Sequence, residues 1–519
     1  MKTNTDPYTW DLDSIFKNIE SWEAEFALVS KELRELANFK GRLFSSSGIL
    51  LDFLKKSADL SEKAAMLHNY AYLQYYADTN NEHAGVLISR ADSLLAELAV
   101  EGSFFGPEVL NAGAASVSAL LASDSRLALY RHLFNELERN RPHVNSPEIE
   151  QVINQLSTVK SGPETIRTAL HDAEMEFGPI DLGAGKVGTL THGTIDSFLS
   201  HSDPKIRKAA YNSYTDSYLK FAQTFAQTLS AQAKVSDAFS KVRGFSSTFK
   251  AKMFNEGFSE EVFYSVLKAC KEHRHLFGRY FKARAAILGL NKCSESDLLA
   301  PLADNSLTIE YDQARELVLS ALTPLGDEYV SVARRGLYEE RWADVYPRAG
   351  KYSNPFSSGS YRTRPFMLLN YGANMMEVGT LAHELGHSMH SYIVHRSQPS
   401  CYSNYAMSVA ETASNLNQVL LRASVLPKAD RATSLAVLEE AFFYAHRYLF
   451  LMPTMSEVEH KLHTTCAAGG ALSASDLQSA TIEAFSAAYD GSVDFEPRRL
   501  GIKWAKFCHF YSPYYFFQY

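Results

Sequence analysis

Gly379-Thr380-Leu381-Ala382-His383-Glu384-Leu385-Gly386-His387-Ser388-Met389-His390 decides how the rest of this chain is read. On a helix, residues four apart share a face, so the imidazoles of His383 and His387 can reach one metal ion. Glu384 projects beside that ion, placed to take a proton from a water. An H-E-x-x-H helix thus supplies two zinc ligands and a general base for hydrolysis. The alternative is a core helix that carries two histidines for packing. Gly386 costs about 1 kcal/mol of helix propensity relative to alanine, and close approach of another segment or of substrate is the usual reason for accepting it. His390, nearly one turn beyond His387, suits a supporting role rather than ligation.

A catalytic zinc usually takes three protein ligands and leaves the fourth position for water. The segment Tyr405-Ala406-Met407-Ser408-Val409-Ala410-Glu411-Thr412-Ala413-Ser414-Asn415-Leu416-Asn417 offers the third. Glu411 is an isolated acid among small and apolar residues, where an unpaired carboxylate is costly to bury and a metal or strong hydrogen-bond partner is expected. An exposed surface glutamate is the alternative.

The chain's 519 residues, 46% apolar and 21% charged, have ordinary globular composition and length for two to four domains. Net charge is −8, and no Lys/Arg cluster of nucleic-acid type occurs, so neither nucleic acid nor an anionic membrane is an expected partner. The polar start, Met1 to Pro7, lacks the apolar core of a signal peptide, and no apolar run is long enough for a membrane span. Five scattered cysteines form no C-x-x-C pair, which fits a reducing, cytoplasmic home. Oligomeric state is not legible.

Most of the sequence has helical periodicity: Trp22 to Leu36, Leu60 to Leu98, Ile206 to about Ser240 behind the Asp203-Pro204 start signal, Glu260 to Leu288, Ile309 to Leu325, Ala432 to His463, and Ala474 to Ala488. Two stretches break it. Residues 177–193 hold a formal G-x-G-x-x-G at Gly183, Gly185 and Gly188, but Thr189-Leu190-Thr191 reads as a returning strand, so a β-hairpin is expected rather than a dinucleotide loop. Tyr346 to Tyr371 reads as a flexible loop around Ser357-Ser358-Gly359-Ser360-Tyr361 and then a strand at 363–371. A boundary near 185–195 divides the chain into an N-terminal helical region, 1–190, and a catalytic domain, 191–519.

Gly350 to Leu421, with its L-A-H-E-L-G-H-S-M-H-S, S-S-G-S-Y and V-A-E-x-A-S runs, resembles the oligoendopeptidase F group of the thimet-oligopeptidase-like zinc metallopeptidases. So do the Tyr8-Thr9-Trp10-Asp11-Leu12 opening, Thr191-His192-Gly193 and Lys241-Val242-Arg243-Gly244-Phe245, which extends the resemblance to essentially the whole chain. The resemblance implies a mainly α, two-lobed fold enclosing a deep channel, with a small β-ribbon near the active site. It implies a zinc endopeptidase that cleaves short unstructured oligopeptides: His383, His387 and Glu411 hold one Zn2+ per chain, and Glu384 is the base. His509, Tyr511 and Tyr515 match its oxyanion donors, although aromatic runs also serve as core. Ser358, Gly359, Ser360 and Tyr361 are its candidate substrate contacts. The strand at 363–371 is a candidate edge for pairing with an extended peptide.

Three departures stand out. Family members usually continue past the aromatic segment, whereas this sequence stops at Tyr519. The catalytic domain is therefore expected to be cut short, with an apolar terminus that needs cover. Phe517 stands where another tyrosine is expected. Gln418 replaces a common acid, which is expected to soften support for the metal site. These keep a peptide-binding pseudoenzyme or inactive truncated paralogue open as the alternative. His460 and His463, though spaced for one helix face, are expected to be solvated or satisfied in the core rather than a second metal site.

Overall fold

Asn18, Ser46 and Asn81 each accept a hydrogen bond from the backbone N–H three residues on, and so start the helices Ile19–Glu32, Ser47–Ala77 and Glu82–Glu101. The computed structural model describes residues 6–146, 149–150, 152–153, 156–302, 307–352 and 354–518. Most of them are helical, as expected. The continuous pattern from 60 to 98 is two helices, because Asp78 to Asn81 form the turn that reverses the chain. Phe221 likewise separates Pro204–Lys220 from Ala222–Val242, and a π-helical turn, Arg447–Leu451, interrupts the run between Arg431–His446 and Met452–Ala467. Periodicity persists through such breaks, so sequence alone merges their two sides. Among the described residues, no single helix is long and apolar enough to cross a membrane.

Contacts divide the chain into two units that interleave in sequence: Met1–Gln151 with Leu307–Asp430, and Val152–Ser306 with Arg431–Tyr519. The first contains a helical core built on Trp22, Val29, Leu50, Leu67 and Leu87. It also contains a small three-stranded sheet. Phe366–Leu368 is the central strand, paired parallel to Ala343–Asp344 and antiparallel to Phe356–Ser358 with Ser357 opposite Met367. Trp10 lies against Phe366 and Phe356, which gives the N-terminal Y-T-W-D-L run its job of covering this sheet.

Two expectations change here. The strand at 366–368 is buried at the centre, and Phe356–Ser358 is one of the two edges. Ser357 and Ser358 are therefore strand residues, and Ser360 to Thr363 close a turn, where a flexible loop was expected. Serines and glycine read as loop because they lack β propensity; pairing with an apolar strand overrides it.

In the second unit the expected hairpin is present, Ile180–Gly183 against Lys186–Gly188, with Ala184 and Gly185 both at positive φ as a two-residue turn requires. Its return strand is 186–188, earlier than the 189–191 expected. The unit's core joins Tyr218, Phe225 and Leu229 to Met455, Leu462, Phe485, Trp504, Phe510 and Phe516. The aromatic run near the C-terminus therefore has cover from the unit's own helices: Tyr514 and Phe517 sit among Phe249, Met253 and Phe263. Tyr519 lies outside the described residues. The same packing makes a phenylalanine at 517 intelligible as core.

Candidate active site

The motif helix, Met375–Ser397, starts at Asn374, whose side chain accepts from the Glu377 N–H, and it carries His395 and Arg396 in its last turn. Val378, Leu381, Ala382, Leu385 and Met389 bury one face. The helix Met407–Val425 lies against it and buries a polar stripe, Glu411, Ser414, Asn417 and Gln418. A β-carbon on Gly386 would lie 2.6 Å from the Ser414 Cα and 2.8 Å from the Ala413 carbonyl. Close helix approach is the reason for that glycine. Asn417 ties the pair by donating to the Ala382 carbonyl at 3.2 Å.

This approach brings three donor atoms together. His383 Nε2 and His387 Nε2 are 3.2 Å apart, and Glu411 Oε2 lies 3.4 Å from the first and 3.7 Å from the second. Tetrahedral ligands at about 2.0–2.1 Å from zinc stand about 3.3 Å from one another, so the set fits a tetrahedral ion with one corner left over. Glu411 is 6% exposed, which rejects the surface-glutamate alternative. Its Oε2 also accepts from Ser414 Oγ at 3.0 Å.

Both imidazoles are oriented from behind. His383 Nδ1 is 3.1 Å from Gln418 Oε1, and the His387 ring hydrogen-bonds to the backbone of Ala410. An acceptor at Nδ1 keeps the proton there and frees Nε2 for a metal. The amide oxygen of Gln418, 1% exposed, supplies that acceptor. The departure at 418 changes the charge behind His383 but leaves the acceptor in place. Sequence reading treated Gln418 only as a loss; its spacing of seven from Glu411 was the available signal that it shares the same helix face.

Glu384 is 7% exposed. Burial and the neighbouring Glu411 carboxylate push it up to about 8. Burial, then the nearby His383 and His390, hold His387 down at about 3, so its imidazole is neutral and able to ligate. The sheet is fastened to the motif helix through Ser357 Oγ and Ser388 Oγ, 2.8 Å apart. Among the described residues one other group has metal-ligand composition: His171, Asp172 and His192, in the second unit. Its two imidazoles stack in near-parallel planes 3.7 Å apart, and Tyr214, Tyr218 and the His171 carbonyl already engage their nitrogens. Lone pairs in parallel planes do not converge on one ion.

Comparison with known proteins decides the class. The model for Peptidase family M3 matches residues 197–519, and the model named Oligopeptidase F matches 108–177. The chain belongs to peptidase family M3. It is a metalloendopeptidase of the oligoendopeptidase F group. It is 31% identical over 513 residues to oligopeptidase PepF of Bacillus subtilis, covering 98% of this chain and 76% of that protein. Identity to the group B oligopeptidase PepB of Streptococcus agalactiae is 30%, over 99% of this chain and 85% of the relative. The crystal structure of oligoendopeptidase-F from Enterococcus faecium shares the fold, with a TM-score of 0.74 at 24% identity, over 96% of this chain and 85% of that one.

The other residues anticipated for an M3 site fall in two places. In the first unit, Ser358 Oγ donates to Asn69 Oδ1 at 2.9 Å, the Ser360 N–H donates to Thr363 Oγ1 at 2.8 Å, and Tyr361 OH donates to the Gln398 carbonyl at 2.9 Å. Gly359 passes close to its own turn, where a β-carbon would lie 3.3 Å from the Arg364 carbonyl. In the second unit, the His509 ring stacks on Phe516 and lies 5.1 Å from the Tyr515 ring. Burial, then Arg447 and Arg167, lower His509 to about 4 and keep it neutral. Tyr511 turns inward: its hydroxyl is 2.7 Å from Thr228 Oγ1 in the core. His460 meets the hydroxyls of Tyr514 and Tyr264, while His463 stacks on Tyr514.

Proposed function

We propose that this metalloendopeptidase is zinc-dependent and hydrolyses internal bonds of short unstructured oligopeptides. His383, His387 and Glu411 would hold one zinc per chain, with Glu384 as general base. The observation that carries the reading is the triangle of donor separations, 3.2, 3.4 and 3.7 Å, beside a buried carboxylate that is not one of its corners. Relatives named as oligopeptidases support the substrate class.

Zinc held there supplies Lewis acidity, polarising a carbonyl and acidifying water. A dication on the three ligands would favour the Glu384 carboxylate that burial beside Glu411 otherwise disfavours. In that form Glu384 takes the proton from the attacking water and passes it to the nitrogen of the leaving amine as the C–N bond breaks. Ser414, Gln418 and the Ala410 backbone hold the three ligating side chains in their working orientations. An extended peptide would pair with the outer edge of Phe356–Ser358, the sheet edge fastened to the motif helix, with Ser358, Gly359, Ser360 and Tyr361 as its contacts. His509 and Tyr515 would donate to the oxyanion. Tyr511, whose hydroxyl is already engaged by Thr228, serves better as the brace that fixes their segment. Residues 191–519 form the catalytic stretch in this reading. The five unpaired cysteines support a cytoplasmic setting.

Purified protein should contain about one zinc per chain and cleave a quenched fluorescent peptide until a chelator is added. Glu384→Gln should keep the metal and lose turnover by about 10²–10⁴-fold. Peptide binding without turnover at zinc saturation would establish the pseudoenzyme alternative instead.

A further inference from the structure

A cavity lies within the second unit, and no residue assigned above to metal binding lines it. Here the helices Ile195–Leu199, Pro204–Lys220 and Arg431–His446 and the segment 499–507 line a cavity of about 170 Å³. That is on the order of ten times the volume one water needs. Four cations face it: Arg447, Arg499, Lys503 and Lys506.

Two of these are already used. Lys503 Nζ contacts both oxygens of Glu295, at 2.7 and 2.9 Å. Arg499 is shared among Asp216, Glu496 and the Asn212 carbonyl. The other two are not. Among the described residues neither the Arg447 guanidinium nor the Lys506 ammonium has an ion-pair partner. Lys506 Nζ has only the face of Tyr214, 4.9 Å away. Of the acids lining the cavity, Glu295 is consumed by Lys503 and by the Tyr489 hydroxyl. Asp196 is exposed on its short helix and, among the described residues, forms no ion pair. Half-buried cations without an ion-pair partner favour an anionic ligand, and a guanidinium and an ammonium lining one cavity offer donors for the two oxygens of a carboxylate. Burial accordingly pushes the Lys506 ammonium below the usual lysine range. Leu199, Leu298, Leu299, Phe443, Leu451 and Phe507 make the rest of the wall largely apolar, with Tyr211, Thr215 and His446 as its other polar members.

We propose that this cavity binds a carboxylate borne on an apolar residue, with the carboxylate on Arg447 and Lys506 and the apolar side chain against Leu298, Phe443 and Phe507. Two sources share that chemistry: the C-terminal residue of a peptide, and a free apolar amino acid. The peptide source rests on the oligopeptidase reading, whereas the site itself does not.

The test separates the two. N-acetyl-leucine, N-acetyl-leucinamide and free leucine are titrated into the full-length protein by calorimetry, with no turnover involved. The acid should bind at least tenfold more tightly than the amide. Arg447→Gln and, separately, Lys506→Met should each remove that preference. Free leucine matching N-acetyl-leucine identifies the amino acid as the ligand; much weaker leucine identifies the peptide C-terminus. Equal binding of acid and amide, no binding of either, or a preference that survives both substitutions overturns the proposal. A peptide acid and its amide are then compared as substrates. Loss of all turnover with the acid preference intact in calorimetry would count against the peptidase reading and leave the site standing.

Discussion

Gly386 and Ser414 are in contact across two helices, so close that a β-carbon on the glycine would stand 2.6 Å from the Ser414 Cα. The obstructing atoms are backbone, which cannot rotate away. Gly386→Ala gains about 1 kcal/mol of helix propensity but forces the helices apart, an overpacking cost of about 1–3 kcal/mol. The same shift moves Glu411 from His383 and His387. The variant should melt at a lower temperature and bind zinc at least tenfold more weakly, as read by competition with a chromogenic chelator. Unchanged zinc affinity would detach helix spacing from ligand geometry.

Gln418 and His383 make the next prediction. The amide oxygen sits 3.1 Å from His383 Nδ1 at a position that is 1% exposed. Gln418→Ala removes the acceptor and leaves a buried N–H without its partner, so zinc affinity should fall by about 10–100-fold. Gln418→Glu restores an acceptor and adds a charge, and should bind zinc at least as tightly as the parent chain. If alanine and glutamate variants bind zinc equally, Gln418 has no part in holding His383.

These two contacts also mark how far the sequence could be read. His383, Glu384 and His387 were legible because one helix fixes their spacing, and a local rule suffices. Glu411 was legible as an isolated acid among small residues. The Ser414 contact that requires Gly386, and the hydrogen bond that gives Gln418 its task, join residues about thirty apart and depend on how two helices meet. The sheet was misjudged for the same reason. Phe366-Met367-Leu368 reads as a strand in any register, but its central place depends on Ala343–Asp344, a two-residue partner with no periodicity to detect. The interleaving of the two units is likewise invisible to a scan that moves once along the chain.

The strand order makes its own prediction. Because Phe356–Ser358 is an edge strand of the sheet, peptide capture there runs through backbone groups. N-methylation of alternate substrate amides should therefore raise KM severalfold in one register and leave it unchanged in the other. Equal effects in both registers would argue against strand pairing.

Acid sensitivity follows from burial. Eight histidines outside the metal ligands are held below their ordinary range: His171, His192, His390, His395, His446, His460, His463 and His509. Desolvation is the largest cause at each, and His192, His463 and His509 are lowered to about 4. Between pH 6.5 and 4 an unfolded histidine carries a proton that its folded counterpart refuses, so the unfolded state binds more protons and stability falls as pH falls. Four glutamates oppose this, Glu377, Glu384, Glu439 and Glu459, because burial raises them and the folded state holds their protons longer. A group displaced by about 2.5 units changes stability by roughly 2 kcal/mol between pH 7.5 and 5. The eight lowered histidines outnumber the four raised glutamates and set the sign. The melting temperature at saturating zinc should therefore drop between pH 7.5 and pH 5, and His463→Gln, which removes one buried imidazole, should make that drop shallower. A melting temperature that rises toward pH 5 would assign control to the buried glutamates.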